Sequence, residues 1–463
     1  MADNIKEMYA RAKKAFEVIE FWPQEKIDEL VAVVGWQWMQ EGFGREVAKI
    51  AADESGMGVF EDKAHKANKI RGIMWDMKGK KTCGLISDDK ERGIKTYAKP
   101  IGVVANVVPC TNPTITTCFI GLSLLKTRNA MICSPHPRTK KSTYKTVEYG
   151  RKILKAYGAP EDLMLCVEEP TNEKTVELMS ICDFAVATGG KALIKVVHAA
   201  GTPAITVGAG NVRAIIDPSA DLTKAADWIM RSKIFDNATS CSSENAVSIH
   251  VSIYDKMMDE LKKVGGYLLN DEDREKLRKA MWPDGHTLNR EIVAAPVQKI
   301  ANIAGISVPE GTKFIMVKGQ KIGPEDMFSN EKLSLVLTVW TWTDFEEELK
   351  TLKKNLLFSG IGHSCALHST KPEQWERLAE FIPTGRVNIN MGNTLANSGA
   401  WFAGHEFTTT LGCGTWTGNS SSDNINYRHF MNTTRLAVPI PQYVPTDEEV
   451  FGPYLDKAKK LFS

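Results

Sequence analysis

Ile27, Leu30, Val31 and Val34 follow the 3.6-residue helical period after Pro23, and residues 5–70 read as helical. From about residue 94 the texture changes. Short apolar runs at 103–108, 130–133, 163–167, 184–187 and 214–216 alternate with amphipathic stretches at 142–157, 172–180 and 191–200. Strands fed by helices of this length predict parallel βαβ units in a doubly wound sheet, an α/β fold. A second series has strands at 246–253, 314–318, 333–342, 364–368 and 386–390 and helices near 255–264, 343–355 and 371–380. It predicts a second α/β domain. Gly210-Asn211 and residues 236–245 are the candidate crossing points between the two. Residues 423–463 read as one short helix, a strand at 435–438 and a proline-spaced end.

Composition narrows the function class. The chain of 463 residues is 43% apolar and 25% charged, ordinary for a globular enzyme, and long enough for two or three domains. A net charge of +2, dispersed along the chain, argues against nucleic acid or an anionic membrane as partner. No apolar run approaches the ~20 residues of a membrane helix, and no signal peptide is visible. Nine scattered cysteines form no Cys-x-x-Cys pair. They predict reduced thiols in a cytoplasm and no structural zinc; His405-Glu406 lacks a second histidine, so no metal is expected.

Among those cysteines, Cys241 stands apart. It sits in Asp236-Asn237-Ala238-Thr239-Ser240-Cys241-Ser242-Ser243, a small, polar loop before an apolar run. A thiol there stays accessible and reactive, whereas one inside an apolar element is inert packing. Thiol catalysis also needs donors for the oxyanion it creates. Pro109-Cys110-Thr111-Asn112-Pro113, after the strand at 103–108, offers the Asn112 amide; the alternative is an asparagine capping the next helix. Glycine turns at Thr188-Gly189-Gly190, Gly208-Ala209-Gly210-Asn211 and 412–419 let backbone approach a ligand, although none forms a dinucleotide fingerprint or P-loop.

Taken in order, several segments resemble the CoA-acylating branch of the aldehyde dehydrogenase superfamily over nearly the full length. They include 54–63, Val108-Pro109-Cys110-Thr111-Asn112-Pro113-Thr114, Thr127-Arg128-Asn129-Ala130, Ser134-Pro135-His136-Pro137-Arg138, Ala187-Thr188-Gly189-Gly190 and Val207-Gly208-Ala209-Gly210-Asn211. Phe235-Asp236-Asn237 before Cys241, Asn330-Glu331-Lys332-Leu333-Ser334, Gly360-Ile361-Gly362-His363-Ser364 and 412–419 complete the match. The resemblance implies a Rossmann-type cofactor domain (1–240), an α/β catalytic domain (241–422) and a small oligomerisation extension (423–463) in a dimer or tetramer. It implies that Cys241 attacks the aldehyde. Asn112 or Thr111, with the Cys241 N–H, would hold the oxyanion. Glu331 would hold the nicotinamide ribose, and His363 would orient or deprotonate CoA. Ser134, His136, Arg138, Thr188, Gly189, Gly190 and Gly208 would contact NADP or NAD.

One departure carries chemistry. Hydrolytic relatives place a water-activating glutamate in the strand before the glycine turn, where this chain has Thr206. A threonine hydroxyl is no general base at neutral pH, so a Cys241 thioester should await a thiol. The segment 134–138 lacks the acidic ribose partner and carries Arg138, with Lys140 nearby, which leans towards NADP and leaves NAD open. The overall pattern is similar to sulfoacetaldehyde and succinate-semialdehyde acylating dehydrogenases, ahead of acetaldehyde or propionaldehyde enzymes. Thr239, Ser240, Arg213 and Arg231 are candidates for an anionic tail. A non-catalytic structural relative and a nicotinamide-free thiol acyltransferase are the readings from other classes.

Overall fold

The computed structural model describes residues 4–189 and 191–461. Helices Ile5–Ile19, Gln24–Trp38 and Glu41–Ser55 open the chain, as their apolar period predicts. A hairpin of β1 (Gly84–Asp89) and β2 (Ile94–Pro100) follows, which the pattern analysis did not anticipate. Five parallel strands come next: β3 (Val103–Val108), β4 (Ala130–Pro135), β5 (Met164–Cys166), β6 (Phe184–Thr188) and β7 (Ala204–Val207). Their order is β5-β4-β3-β6-β7, so the winding reverses between β3 and β6. Open α/β sheets bind ligands at such a switch point, beyond the carboxyl ends of the strands.

The helix Pro113–Lys126 was also missed. It packs against β3, β4 and the helices Gln24–Trp38 and Lys140–Tyr157, and its residues from Ile115 to Lys126 are all buried. A helix apolar all round shows no amphipathic period to read.

A second sheet is all parallel. It comprises β8 (Val212–Ile216), β9 (Glu244–His250), β10 (Gly266–Leu268), β11 (Phe314–Lys318), β12 (Val336–Trp342), β13 (Cys365–His368) and β14 (Val387–Ile389), in the order β10-β11-β12-β9-β8-β13-β14. The change of sheet falls at residues 208–211. The boundary expected at 240 therefore cuts the second sheet, because β8 lies ahead of it. The physical reason is that β8 pairs along its length with β9, and over Ala214–Ile216 with β13, and with no described strand of the first sheet. The boundary at 423 is likewise late: Phe407 already packs in the first core, with Ile425, Tyr427 and Phe430. β15 (Met431–Ala437) then pairs antiparallel with β2, closing a three-stranded sheet, and most of β15 is exposed.

Candidate active site

The topology sorts the candidate residues into two facing sets. Asn112, Ser134, Thr188 and Gly208 lie at or just beyond the carboxyl ends of β3, β4, β6 and β7. Gly210, Cys241, Glu331 and His363 lie just ahead of β8, β9, β12 and β13. The four-residue link 208–211 joins the carboxyl end of one sheet to the amino end of the other. The site is the seam between them.

Cys241 is presented by an unusual turn. Asp236, Asn237 and Ala238 have φ of 50°, 51° and 58°. Three consecutive non-glycine residues in this region store strain that surrounding bonds must hold. Asp236 does much of that. Its N–H donates to Asp62 (2.7 Å), and its carboxylate accepts from Val59 N–H (2.7 Å), Thr239 Oγ1 (2.6 Å), Lys63 Nζ (3.0 Å) and Lys66 Nζ. The Asn237 amide donates to the Ala294 carbonyl at 3.2 Å. Gly210 completes the fit: a Cβ there would stand 1.9 Å from the Cys241 carbonyl oxygen.

His363 Nε2 lies 3.0 Å from Cys241 Sγ. Gly362, at φ 80°, makes that approach possible, since a Cβ on it would meet the Cys413 carbonyl at 1.9 Å. His363 Nδ1 lies 2.9 Å from Ser364 Oγ. That hydroxyl already accepts from the amides of Asn393 (3.1 Å) and Asn397 (3.2 Å). Its proton therefore goes to Nδ1, which places the imidazole proton on Nε2, facing the sulfur. Burial, with the Arg386 cation nearby, pushes His363 down to about 3, so the ring is neutral. Burial, then the Glu331 carboxylate, pushes the Cys241 thiol up to about 12. Asn393 and Asn397 also hold the cysteine loop, through Ser242 O (2.8 Å) and Ser242 Oγ (3.0 Å). These two asparagines carried no signal in the sequence; their role depends on two loops meeting.

Asn112 begins the helix Pro113–Lys126 but its side chain caps nothing. Its Oδ1 instead accepts from Lys66 Nζ at 2.6 Å. An ammonium can pair only with the amide oxygen, which fixes the flip and leaves Nδ2 free to donate. The Cys241 N–H also donates to no backbone carbonyl among the described residues. Asn112, Cys241, Ser240, Lys66 and Lys69 line one pocket. Thr111 sits half-buried beside Asn112 and is not among its lining residues. The two lysines were missed; in sequence they are cations in a polar helix, indistinguishable from surface charge.

Thr206, at the end of β7, is buried, and its hydroxyl accepts from the Asn419 amide at 3.0 Å. Glu331 accepts from the Gly210 N–H at 3.0 Å. Burial raises its carboxyl to about 8. Its other oxygen has no protein donor among the described residues, so it can accept a hydroxyl from a bound group. With the reversal of winding beside Thr188, this fits a nicotinamide dinucleotide.

The remaining candidates sit around β4 and β6. Ser134 is buried, its hydroxyl 2.8 Å from Thr175 Oγ1. His136 Nδ1 accepts from the Arg138 N–H at 3.1 Å, and the Arg138 guanidinium donates to the Ser55 carbonyl at 2.5 Å. Lys140 pairs with Glu169. Gly189 follows β6 directly, Gly208 has room for a side chain, and Gly190 lies outside the described residues.

Three candidates for the substrate tail are displaced. Arg213 is fully buried among Glu348, Asn355 and Trp340, where the second sheet needs a paired cation. Arg231 is exposed and pairs with Asp227 four residues before it on its own helix. Thr239 is buried and spends its hydroxyl on Asp236.

The aldehyde dehydrogenase family model matches residues 1–273. The chain is 42% identical to a sulfoacetaldehyde dehydrogenase of Acholeplasma sp, over 97% of this chain and 94% of that one. It is 41% identical to an acylating sulfoacetaldehyde dehydrogenase of Bilophila wadsworthia, over 99% and 100%. The fold superposes on an acetylating aldehyde dehydrogenase from Geobacillus thermoglucosidasius with a TM-score of 0.92 at 34% identity, covering 96% of this chain and 98% of that chain. With that family model spanning more than half of its length and relatives of 41–42% identity over nearly all of it, the chain belongs to the aldehyde dehydrogenase family.

Proposed function

We propose that the protein is a CoA-acylating, NAD(P)-dependent aldehyde dehydrogenase acting on a short anionic aldehyde, with sulfoacetaldehyde as its substrate. The observation that carries the acylating reading is the pairing of Cys241 with His363, with Thr206 and no carboxylate in β7.

The Cys241 thiolate adds to the aldehyde carbon, forming the C–S bond as the carbonyl electron pair moves to oxygen. Asn112 Nδ2 and the Cys241 N–H are donors beside the sulfur, and they stabilise that oxyanion. His363 Nε2–H donates to the sulfur and favours its thiolate form. Glu331 would hold the ribose of the dinucleotide. Bound nicotinamide would supply the hydride acceptor; as the oxyanion re-forms its C=O bond, the former aldehyde C–H breaks with loss of hydride and a thioester is left on Cys241. The thiol of CoA, its proton released to solvent, then attacks the acyl carbon as thiolate and expels the Cys241 thiolate, giving acyl-CoA. Thr206 offers no base to activate water, so hydrolysis is slow.

Substrate choice is supported by two relatives that carry the sulfoacetaldehyde name at 41–42% identity and by the lysines lining the pocket. Arg138, held at the carboxyl end of β4, supports NADP. The exposed β15 and the apolar residues after it support a homo-oligomer assembled through this arm. Nine free thiols support a reducing cytoplasm as its location.

The test mixes protein, CoA and NAD or NADP with sulfoacetaldehyde, succinate semialdehyde, acetaldehyde or propionaldehyde, and follows nicotinamide absorbance. CoA-dependent reduction is expected, with the highest kcat/KM for sulfoacetaldehyde and none in Cys241→Ser. Brisk release of free acid without CoA, or full turnover by the serine variant, overturns the reading.

A further inference from the structure

The pocket beside Cys241 holds polar groups that the proposed chemistry leaves unused. Lys69 Nζ donates to Ser398 Oγ at 2.5 Å and pairs with no carboxylate among the described residues. Its neighbour Lys66 is committed to Asp236 and Asn112. Two more groups stand idle: the hydroxyls of Thr394 and Thr409 are buried and have no hydrogen-bond partner among the described residues. All three residues line the same pocket as Cys241.

This arrangement is costly without a ligand. A half-buried cation with no counter-charge is poorly compensated, and a buried hydroxyl needs a partner. Burial, and the Lys66 charge beside it, pull the Lys69 ammonium down to about 8, the signature of a cation short of an anion. A neutral aldehyde would satisfy none of these groups.

We infer that Lys69, with the Thr394 and Thr409 hydroxyls, forms the recognition site for the acidic tail of the substrate. The inference rests on the reading that the substrate is a short anionic aldehyde, and names the residues that select it. An ammonium and two hydroxyls offer one donor to each of a sulfonate's three oxygens. The tail then lies at one part of the pocket while its aldehyde carbon reaches Cys241. Lys69 is a specificity-determining residue, and takes no part in the bond changes.

Two measurements test this. In Lys69→Met, the ratio of kcat/KM for sulfoacetaldehyde to that for propionaldehyde is expected to fall by about 10–100-fold, the loss typical of a hydrogen bond to a charged group. Lys69→Arg should recover part of the ratio. Equal losses on both aldehydes, or a wild-type ratio in the methionine variant, overturn the inference. Separately, ethanesulfonate at pH 7 should slow the alkylation of Cys241 by iodoacetamide in the wild type and not in Lys69→Met. This second readout needs no turnover. Lysine-dependent protection in a protein that oxidises no aldehyde would keep the anion site and sink the proposed activity. Sulfoacetaldehyde oxidation with no protection and an unchanged ratio would do the reverse.

Discussion

At the scale of single residues, environment decides reactivity more than residue type. Nine cysteines share one chemistry, yet Cys118, Cys133 and Cys365 are sealed in apolar packing while Cys241 faces a pocket and a histidine. Cys241 is nevertheless a poor thiolate in the free protein. Its thiol is pushed up to about 12 by burial and by Glu331, from an ordinary value of ~8.5. Alkylation consumes the thiolate, so its rate should climb about tenfold per pH unit from pH 7 to 10, where an ordinary thiol would already level off. Iodoacetamide labelling of Cys241, followed by mass spectrometry, checks this; a plateau at or below pH 9 would contradict it. The identity of Cys241, Asn112, Glu331 and His363 as candidates was legible from motifs. The proton on His363 Nε2 was not, because it follows from Ser364 accepting two asparagine amides that lie about 30 residues on in sequence.

At the scale of elements, the turn 236–238 shows how a loop can be made rigid. One carboxylate, Asp236, gathers two buried ammoniums, a backbone N–H and a hydroxyl. Replacing it with alanine leaves Lys63 and Lys66 without their counter-charge and frees three left-handed residues to relax. Asp236→Ala should lose about 3–5 kcal/mol of stability, the cost of breaking a buried pair from one side. Urea unfolding measures this, and a midpoint within error of the wild type would show that the turn is held by other contacts. Element assignment from sequence succeeded where one face is wet, as in Asp344-capped Phe345–Phe358, and failed for Pro113–Lys126, where no face is. The hairpin β1–β2 escaped notice because its strands are polar, with β1 mostly exposed and β2 mostly half-buried, so neither shows an apolar run.

At the scale of the whole molecule, two parallel sheets meet end to end and the C-terminal arm lies outside both. β15 exposes most of its length, and Val438, Ile440, Val444 and Phe451 beyond it are exposed apolar residues. A strand edge and a row of apolar side chains left in water favour self-association. Leu436→Asp with Val444→Asp should shift the sedimentation coefficient from an oligomer to a monomer. An unchanged oligomer would place the interface elsewhere.

The sequence by itself determined the α/β class, the alternation of strands and helices, the cysteine and its flanking motifs, and the threonine at the end of β7. These are local properties: periodicity, turn chemistry and residue type need no knowledge of distant partners. Only the tertiary structure decided where the sheets divide, which cations reach the pocket, and which stay at the surface or in the core. Arg213, Arg231, Lys66 and Lys69 are equivalent as letters. Their roles separate only when the chain folds and gives Arg213 a buried glutamate, Arg231 an exposed aspartate on its own helix, Lys66 a shared carboxylate, and Lys69 no carboxylate among the described residues.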